Sequence, residues 1–185
     1  MHIPKTAGHT FNSFLEKIYK DKIYYHYNDV KCEDSSVEVI HGHFTANTYD
    51  IKGAKYITWV RHPVYRYLSI FGHYVDKFKY DYKYTVKSLY RFMDEMDFDN
   101  SMSAYFCGKK DKFDFIGVVD SYYSSMEKLS KALGIPLHRV ESRNINLNKE
   151  YRRFVLDNIN KVFDKVKKRN IIDFEMYEEI RRSNV

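Results

Sequence analysis

Several residues with phosphate-binding chemistry stand together near the N-terminus, in the segment His2-Ile3-Pro4-Lys5-Thr6-Ala7-Gly8-His9-Thr10. Pro4 has no N–H to donate and therefore ends a strand, while Gly8 allows the backbone to turn tightly and approach a ligand. Thr10 precedes an apolar pattern at helical spacing and is expected to start that helix. Free N–H groups at a helix start, joined by the Lys5 ammonium, favour an anion. We expect this anion to be a phosphate.

This segment is not a Walker A loop, which has the pattern G-x-x-x-x-G-K-[ST]. Here Lys5 precedes Gly8, and no glycine stands five residues before the lysine. Two ordinary roles are also compatible with these residues, namely Lys5 in solvent and Thr10 as a simple helix cap. The remainder of the chain has to decide between them.

Two histidines form a second group, His41-Gly42-His43, after an apolar stretch that favours a strand. A neutral imidazole titrates near physiological pH and can take a proton from a hydroxyl group. Either ring could therefore act as a base, with capping of the strand as the structural alternative. A His-x-His pair is also typical of zinc sites, but no third ligand is placed convincingly nearby, so no metal is predicted.

Arg61 and Ser69 form a third group, eight residues apart in the segment 60–69. The Arg61 guanidinium suits a phosphate because it can donate two parallel hydrogen bonds. Pro63 fits the first turn of a helix, which would place Ser69 about two turns further on as a neutral donor. A structural ion pair for Arg61 and a surface hydroxyl for Ser69 are the alternatives.

The elements that position these groups alternate along the chain. Strands are predicted at 23–27, 37–40, 55–60 and 113–119, and helices at 10–20, from Pro63, and at 85–96, 100–106, 121–133, 150–167 and 171–182. Residues 139–149 are expected to form an extended polar loop. This alternation predicts an α/β fold, a three-layer sandwich around a mostly parallel central sheet. Ligands of such sheets bind at the carboxyl ends of the strands, which would bring Lys5, His43 and Arg61 to one rim.

The composition of the chain fits one globular domain spanning residues 1–185. Only residues 1–3 are available for a strand before the phosphate segment, so this strand is very short or the chain is trimmed. The formal net charge of +6 favours anionic ligands, but the basic residues are spread along the chain, so nucleic acid is not predicted as a partner. Cys32 and Cys107 are expected to be ordinary thiols. We expect neither a membrane-spanning run nor a signal peptide.

With these motifs the chain resembles the carbohydrate O-sulfotransferases that use PAPS, 3′-phosphoadenosine 5′-phosphosulfate, and it is most similar to the heparan-sulfate 2-O-sulfotransferase group. Residues 2–8 resemble that family's loop for the 5′-phosphosulfate, written HIPKTGG or HIPKTAG. Residues 60–69 resemble its 3′-phosphate segment, R-D-P-x-x-R-x-x-S, with His62 in place of the usual acidic residue. Weaker matches cover residues 100–108, where Ala104 replaces an arginine, and residues 113–134 and 172–177.

The resemblance implies a P-loop-NTPase-like sulfotransferase fold and transfer of the sulfuryl group of PAPS to a hydroxyl of an acceptor, expected to be a carbohydrate. The product formed from PAPS would be PAP, adenosine 3′,5′-bisphosphate, and no metal is implied. Residues 5–10 would hold the 5′-phosphate, Arg61 and Ser69 the 3′-phosphate, and Arg143 would lie in a loop that closes over the nucleotide. Lys5 would neutralise charge on the bridging oxygen as the S–O bond breaks. The family's histidine tract implies His43 as the base, with His41 orienting it or contacting the acceptor. Arg66 is expected on a solvated basic face or along a groove for an acidic glycan.

Two other functions stay open at this point. One is a relative that binds nucleotide or glycan without turnover, and the other is a P-loop kinase, against which the missing Walker A loop counts. A complete chain of this kind would be cytoplasmic, whereas a fragment of an animal-type enzyme would belong in the Golgi lumen. The sequence leaves the identity of the acceptor and the oligomeric state undetermined.

Overall fold

The computed structural model describes residues 1–78, 81–137 and 148–183, and the statements below concern these residues. The strands are β1 (Ile23–His26), β2 (Val39–Gly42), β3 (Ile57–Val60) and β4 (Phe115–Val118). The helices are α1 (Gly8–Tyr19), α2 (Pro63–Lys77), α3 (Val86–Glu95), α4 (Ser101–Ala104), α5 (Tyr122–Leu133), α6 (Lys149–Arg169) and α7 (Ile171–Ser183). The α/β class predicted from the sequence is confirmed.

The four strands form two separate parallel pairs, which differs from the single sheet that the sequence predicts. β1 pairs with β2, with Ile23 opposite Val39 at the first position. β3 pairs with β4 in the same way, with Ile57 opposite Phe115. One sheet shared by all four strands, as a three-layer sandwich requires, is not formed within the described residues.

Residues 1–3 lie between the two pairs and are hydrogen-bonded to both. The His2 N–H donates to the Gly42 carbonyl at 2.7 Å, and the Met1 nitrogen donates to the Ile57 carbonyl at 3.0 Å. One bond to each side is too little for a ladder, which explains why the short first strand expected here is not formed. A largely apolar cavity of about 440 Å³ adjoins Met1 and is lined by residues of both β2 and β3.

Helices cover both faces of the β3–β4 pair, because neighbouring side chains of a strand point in opposite directions. Trp59 packs into a cluster with Phe11 and Phe14 of α1 and with Leu129 of α5. Val60 belongs to a different cluster, which contains side chains of α4 and α7. A third cluster is built mainly by α2, α3 and α6. These clusters bury the apolar faces that the helical spacing of the sequence indicates.

The junction between β3 and α2 fixes the backbone around Arg61. β3 ends one residue before Arg61, and Pro63 occupies the first turn of α2. The Asp120 carboxylate accepts hydrogen bonds from the His62 N–H at 2.9 Å and from the Tyr177 hydroxyl at 3.1 Å. Asp120 therefore satisfies a backbone donor at the helix start, where the cap residue itself provides no side-chain bond.

The element bounds differ from the predicted ones mainly near the histidines and the polar loop. β2 extends to Gly42, so His41 lies inside the strand and not after it. Most of the predicted loop at 139–149 lies outside the described residues. At its end, the Asn148 side chain caps α6 by accepting from the Glu150 N–H at 2.9 Å. Among the described helices, none is both long and apolar enough to cross a membrane.

Candidate functional site

The segment between residues 3 and 8 is a tight loop with a left-handed backbone at two positions. The Ile3 carbonyl accepts from the Thr6 hydroxyl at 2.7 Å and from the Thr6 N–H at 3.3 Å. Lys5 and Ala7 have φ values of 67° and 62°. Such angles cost residues with a Cβ about 1–2 kcal/mol each and persist where the surroundings enforce them. Turns of this kind form backbone concavities that bind anions.

Gly8 serves a different purpose from the tight turn that the sequence suggests. It is not among the glycines with positive φ, and the left-handed positions fall on Lys5 and Ala7 instead. A Cβ built on Gly8 would lie 1.9 Å from ring atoms of His2. Glycine is therefore required here because the imidazole of His2 occupies the space of a side chain.

Helix α1 begins at Gly8 and leaves backbone donors free at its start. Its N-cap is Ala7, which has no side-chain oxygen to offer. The Phe11 N–H donates to the Ala7 carbonyl at 3.0 Å, whereas in the described chain the N–H groups of Gly8 and His9 donate to no protein acceptor. Thr10 is the third residue of the helix, not its start, and is buried. The free donors and the positive end of the helix dipole favour an anion at this end.

Lys5 and Arg61 bring two cations together beside this loop. Arg61 Nη1 donates to the Lys5 carbonyl at 3.4 Å, and both residues are half-buried. Across the described ranges, neither cation forms an ion pair. Burial lowers the pKa of Lys5, nearby Arg61 lowers it further, and Asp76 opposes this effect. Two adjacent cations without an ion-pair partner are stabilised when an anion binds between them.

Ser69 and Tyr151 extend this polar region along α2. The Tyr151 ring, at the start of α6, packs on α2 at Gly72, where an added Cβ would approach it to 2.6 Å. Burial raises the pKa of the Tyr151 phenol, whereas nearby Arg61 and a hydrogen bond with Ser69 both lower it. Arg61, Ser69 and Tyr151 therefore share one region, in which a guanidinium and two hydroxyl groups can donate hydrogen bonds.

Arg66 supports the loop from inside the molecule and is only 3% exposed. Its Nε donates to the Pro4 carbonyl at 3.1 Å, and its Nη1 donates to the Ser101 hydroxyl at 3.0 Å and lies 3.8 Å from Asp173 Oδ2. The Asp173 carboxylate also accepts from the first N–H groups of α4. The expectation of a solvated face or a glycan groove for Arg66 is wrong, because a carboxylate and two oxygen acceptors compensate its burial.

Three histidine rings gather where β2 ends. The His2 ring stacks on His41, with centroids 5.4 Å apart and 9° between the planes, and approaches His43 at 4.7 Å and 60°. Tyr27 meets His43 edge-on at 5.0 Å, and its hydroxyl lies 3.4 Å from His41 Nδ1. His2 and His41 are buried, whereas His43 is exposed. Two rings therefore pack against both His41 and His43: the buried ring of His2 and the half-exposed ring of Tyr27.

Burial keeps these imidazoles neutral near pH 7. It lowers the pKa of His2 to about 2 and that of His41 to about 3. Desolvation also lowers the pKa of His43, and nearby His9 acts in the same direction. A neutral and accessible His43 has a lone pair that can accept a proton. The buried His41 Nε2 and His2 Nδ1 have no hydrogen-bond partner in the described chain.

The structure thus brings Lys5 and Arg61 together and joins the loop to His43 through His2. Arg143 lies outside the described residues. No group of three or more potential metal ligands occurs in the described ranges. Sequence patterns assign no role of their own to His2 or Tyr151, and the role they suggest for Arg66 is wrong. The sequence could have indicated His2 and Arg66 by their position inside the segments 2–8 and 60–69. Tyr151 has no such signal, because it reaches the site only through the packing of α6 on α2.

No protein-family model matches the chain, no curated protein is significantly similar to it, and no solved structure matches its fold significantly.

Proposed function

We propose that the chain is a sulfotransferase that moves the sulfuryl group of PAPS to a hydroxyl group of an acceptor, expected to be a carbohydrate. One observation carries this proposal, the placement of residues 2–10. This segment contains Lys5, contacts Arg61, and packs through His2 against the neutral and accessible His43. Transfer of an anionic group to a hydroxyl needs an anion site and a base held in a fixed relation.

The donor side of the proposed site uses the loop and the start of α2. The free N–H groups of Gly8 and His9 and the Lys5 ammonium would bind the 5′-phosphosulfate. Arg61 would bind the 3′-phosphate through charge-assisted hydrogen bonds, with Ser69 as a neutral donor beside it. Lys5 would also neutralise the charge that develops on the bridging oxygen as the S–O bond breaks, an effect that is strongest in a partly dehydrated site.

The acceptor side of the proposed site uses the exposed imidazole of His43. As the acceptor oxygen forms its bond to sulfur, His43 would take the hydroxyl proton, which its neutral form permits. His41 is buried, so we assign it a supporting role behind this base and not a contact with the acceptor. No step of this transfer needs a metal ion, because the sulfuryl group carries less charge than a phosphoryl group.

The helices on both faces of β3–β4 and the loops that follow residue 3, β2 and β3 support a P-loop-NTPase-like sulfotransferase fold. In this proposal the two strand pairs belong to one interrupted parallel arrangement, with residues 1–3 between them. The bonds from Met1 to Ile57 and from His2 to Gly42 support this reading.

The first experiment measures thermal unfolding with PAP in the presence of EDTA. We expect PAP to raise the melting temperature without metal, because binding to the folded state alone stabilises it. ATP with Mg²⁺ serves as the comparison ligand. A requirement for Mg²⁺, or a larger shift with ATP, would contradict the proposal and favour a P-loop kinase.

The second experiment tests His43 with labelled PAPS and a panel of glycan and small-alcohol acceptors. His43→Ala is expected to lower turnover by about 10²–10⁴-fold, the usual contribution of a general base, and to leave PAP affinity unchanged. His73→Ala removes an exposed histidine of α2 that lies near Lys5 but outside the histidine group, so it controls for the loss of an imidazole on the donor side. PAP binding by a wild type that turns over no acceptor would instead support a non-catalytic relative.

Lys5→Ala separates binding from catalysis on the donor side. We expect turnover at saturating PAPS to fall more than PAP affinity does, because Lys5 acts mainly on the charge of the leaving group. Parallel measurement of turnover and of PAP dissociation tests this. Equal losses in the two quantities would mean that Lys5 only binds the donor.

A further inference from the structure

His2 connects two parts of the site that are about forty residues apart in the sequence. Its N–H donates to the carbonyl of Gly42 at 2.7 Å. Gly42 is the last residue of β2 and stands between His41 and His43 in the sequence. Its ring packs against the rings of both neighbours of Gly42, at 4.7 Å from His43 and 5.4 Å from His41. The backbone and the side chain of His2 are therefore both fixed against the same stretch of chain.

The start of α1 limits the His2 ring on another side. A Cβ on Gly8 would lie 1.9 Å from His2 Cε1 and Nε2, so the imidazole is in close contact with the backbone of Gly8. That backbone carries one of the free N–H groups of the anion-binding loop. With 7% of its surface exposed, His2 has little room to change its rotamer.

His43 itself is held less tightly, because its side chain is exposed. Two aromatic groups are packed against it, the His2 ring at 4.7 Å and the edge of Tyr27 at 5.0 Å. Tyr27 is itself half exposed, at 50%. The buried His2 ring is thus the more rigid of the two walls that define the orientation of His43.

We infer that His2 is a positioning residue that holds the His43 imidazole in a fixed orientation relative to the anion-binding loop. This inference rests on the proposed function, in which His43 is the base. His2 does not receive the acceptor proton, because its buried ring is packed between Gly8 and the other two imidazoles. Its contribution is geometric: it links the element that binds the donor to the group that activates the acceptor, and a displacement of about 1 Å can cost 10²-fold in rate.

Removal of the His2 ring also changes the surroundings of His43 in a measurable way. The titratable groups that face His43 are His2, His9 and Tyr27, with His41 behind His2. Loss of the His2 side chain admits water to the covered side of His43. Reduced desolvation then moves the pKa of His43 upward, toward its ordinary value.

The experiment compares the wild type with His2→Ala and with His2→Asn, which keeps a planar polar group without overfilling the space. The His43 pKa is measured by NMR titration of the imidazole, turnover by labelled PAPS, and PAP affinity by calorimetry. His26→Phe is the matched control, since it changes another buried histidine whose ring contacts Phe44 and Tyr49 instead.

In His2→Ala we expect a higher His43 pKa, an acid limb of the pH–rate profile shifted upward by the same amount, and turnover reduced by about 10²-fold with PAP affinity unchanged. His2→Asn should show smaller changes in the same directions, and His26→Phe should leave the His43 pKa in place. An unchanged His43 pKa and pH–rate profile in folded His2→Ala or His2→Asn would overturn the inference. So would a loss of turnover matched by an equal loss of PAP affinity.

The NMR titration needs neither donor nor acceptor, so it separates this inference from the proposed function. A raised His43 pKa in the variant supports the contact between the two rings whatever the wild type catalyses. Absence of any sulfuryl transfer by the wild type would overturn the proposed function, and with it the part of the inference that concerns catalysis.

Discussion

The candidate site has an outer and an inner layer. Both contain imidazole and cationic side chains, but these side chains are half-buried or exposed in the outer layer and buried in the inner one. The outer layer consists of Lys5, Arg61 and His43, which are half-buried or exposed. The inner layer consists of His2, His41 and Arg66, none of which is more than 7% exposed. In the inner layer Arg66 has its partners inside the protein, whereas the outer cations form no ion pair among the described residues.

The two arginines make this contrast clear. Arg61 and Arg66 are five residues apart, at the end of β3 and in the second turn of α2. Arg66 lies close to Asp173 and to the loop carbonyl of Pro4, while Arg61 faces Lys5. A satisfied buried charge fixes the structure, and an unpaired half-buried charge is available to a ligand. We therefore expect the inner layer to contribute to stability and the outer one to ligand binding.

The largest expected effect concerns the inner arginine. Arg66→Ala leaves the Asp173 carboxylate buried without its cation, and we expect the free energy of unfolding to fall by about 3–5 kcal/mol. Denaturant unfolding monitored by circular dichroism measures this change. Arg66→Lys keeps the charge but not the planar guanidinium, so its free energy of unfolding should lie between those of the wild type and of Arg66→Ala. An Arg66→Ala protein as stable as the wild type would remove the distinction between the layers.

The next effect concerns the outer arginine and should appear in binding, not in stability. Arg61→Ala is expected to weaken PAP binding by about 1.5–3 kcal/mol, the range for a hydrogen bond to a charged group. The unfolding free energy should stay the same or rise slightly, because repulsion between Arg61 and Lys5 is removed. Calorimetric titration with PAP provides the test. Unchanged PAP affinity would show that Arg61 does not bind the 3′-phosphate.

The effect that is smallest at neutral pH concerns the inner histidines, and it grows as the pH falls. The pKa of His2 and His41 lies near 2 and 3 in the folded protein, because of burial, and near 6.5 in the unfolded chain. Below pH 6.5 the unfolded state therefore binds more protons, and stability falls as pH decreases. Each histidine should lower the free energy of unfolding by about 1.4 kcal/mol for each pH unit of acidification, and this full slope is reached well below pH 6.5.

Unfolding measured between pH 8 and pH 5 checks this slope before carboxylates titrate. His41→Asn removes one of the two groups, so its unfolding free energy should depend less on pH than that of the wild type. A stability that does not vary over this range would mean that the inner rings are already accessible to protons.

Local sequence patterns were sufficient for most of the secondary structure and for part of the site. Apolar spacing, Pro63 at a helix start and Gly134 at a helix end act over a few residues, so the helices α2 and α5 could be placed from the sequence. The same local reasoning predicts Lys5 and Arg61 as anion-binding residues, since it needs only their charge and the ends of the elements beside them, and the structure places the two residues in contact.

Other features depend on residues that are far apart in the sequence. The interruption between β2 and β3 follows from the few bonds that residues 1–3 can make to either side. The role of Tyr151 follows from the packing of α6 on α2. A pattern of spacing along one segment contains no information about such contacts, because it does not say which other segment covers a given face.

The amino-acid sequence by itself determined the α/β class, the order of the elements and the identity of the polar residues near the strand ends. Only the tertiary structure decided which of these residues are paired inside the protein and which have no ion-pair partner among the described residues. Arg66 looks like Arg61 in the sequence, and Gly8 looks like a turn residue until His2 is placed against it. The reason is physical: burial and pairing are properties of the space around a side chain, and distant segments fill that space.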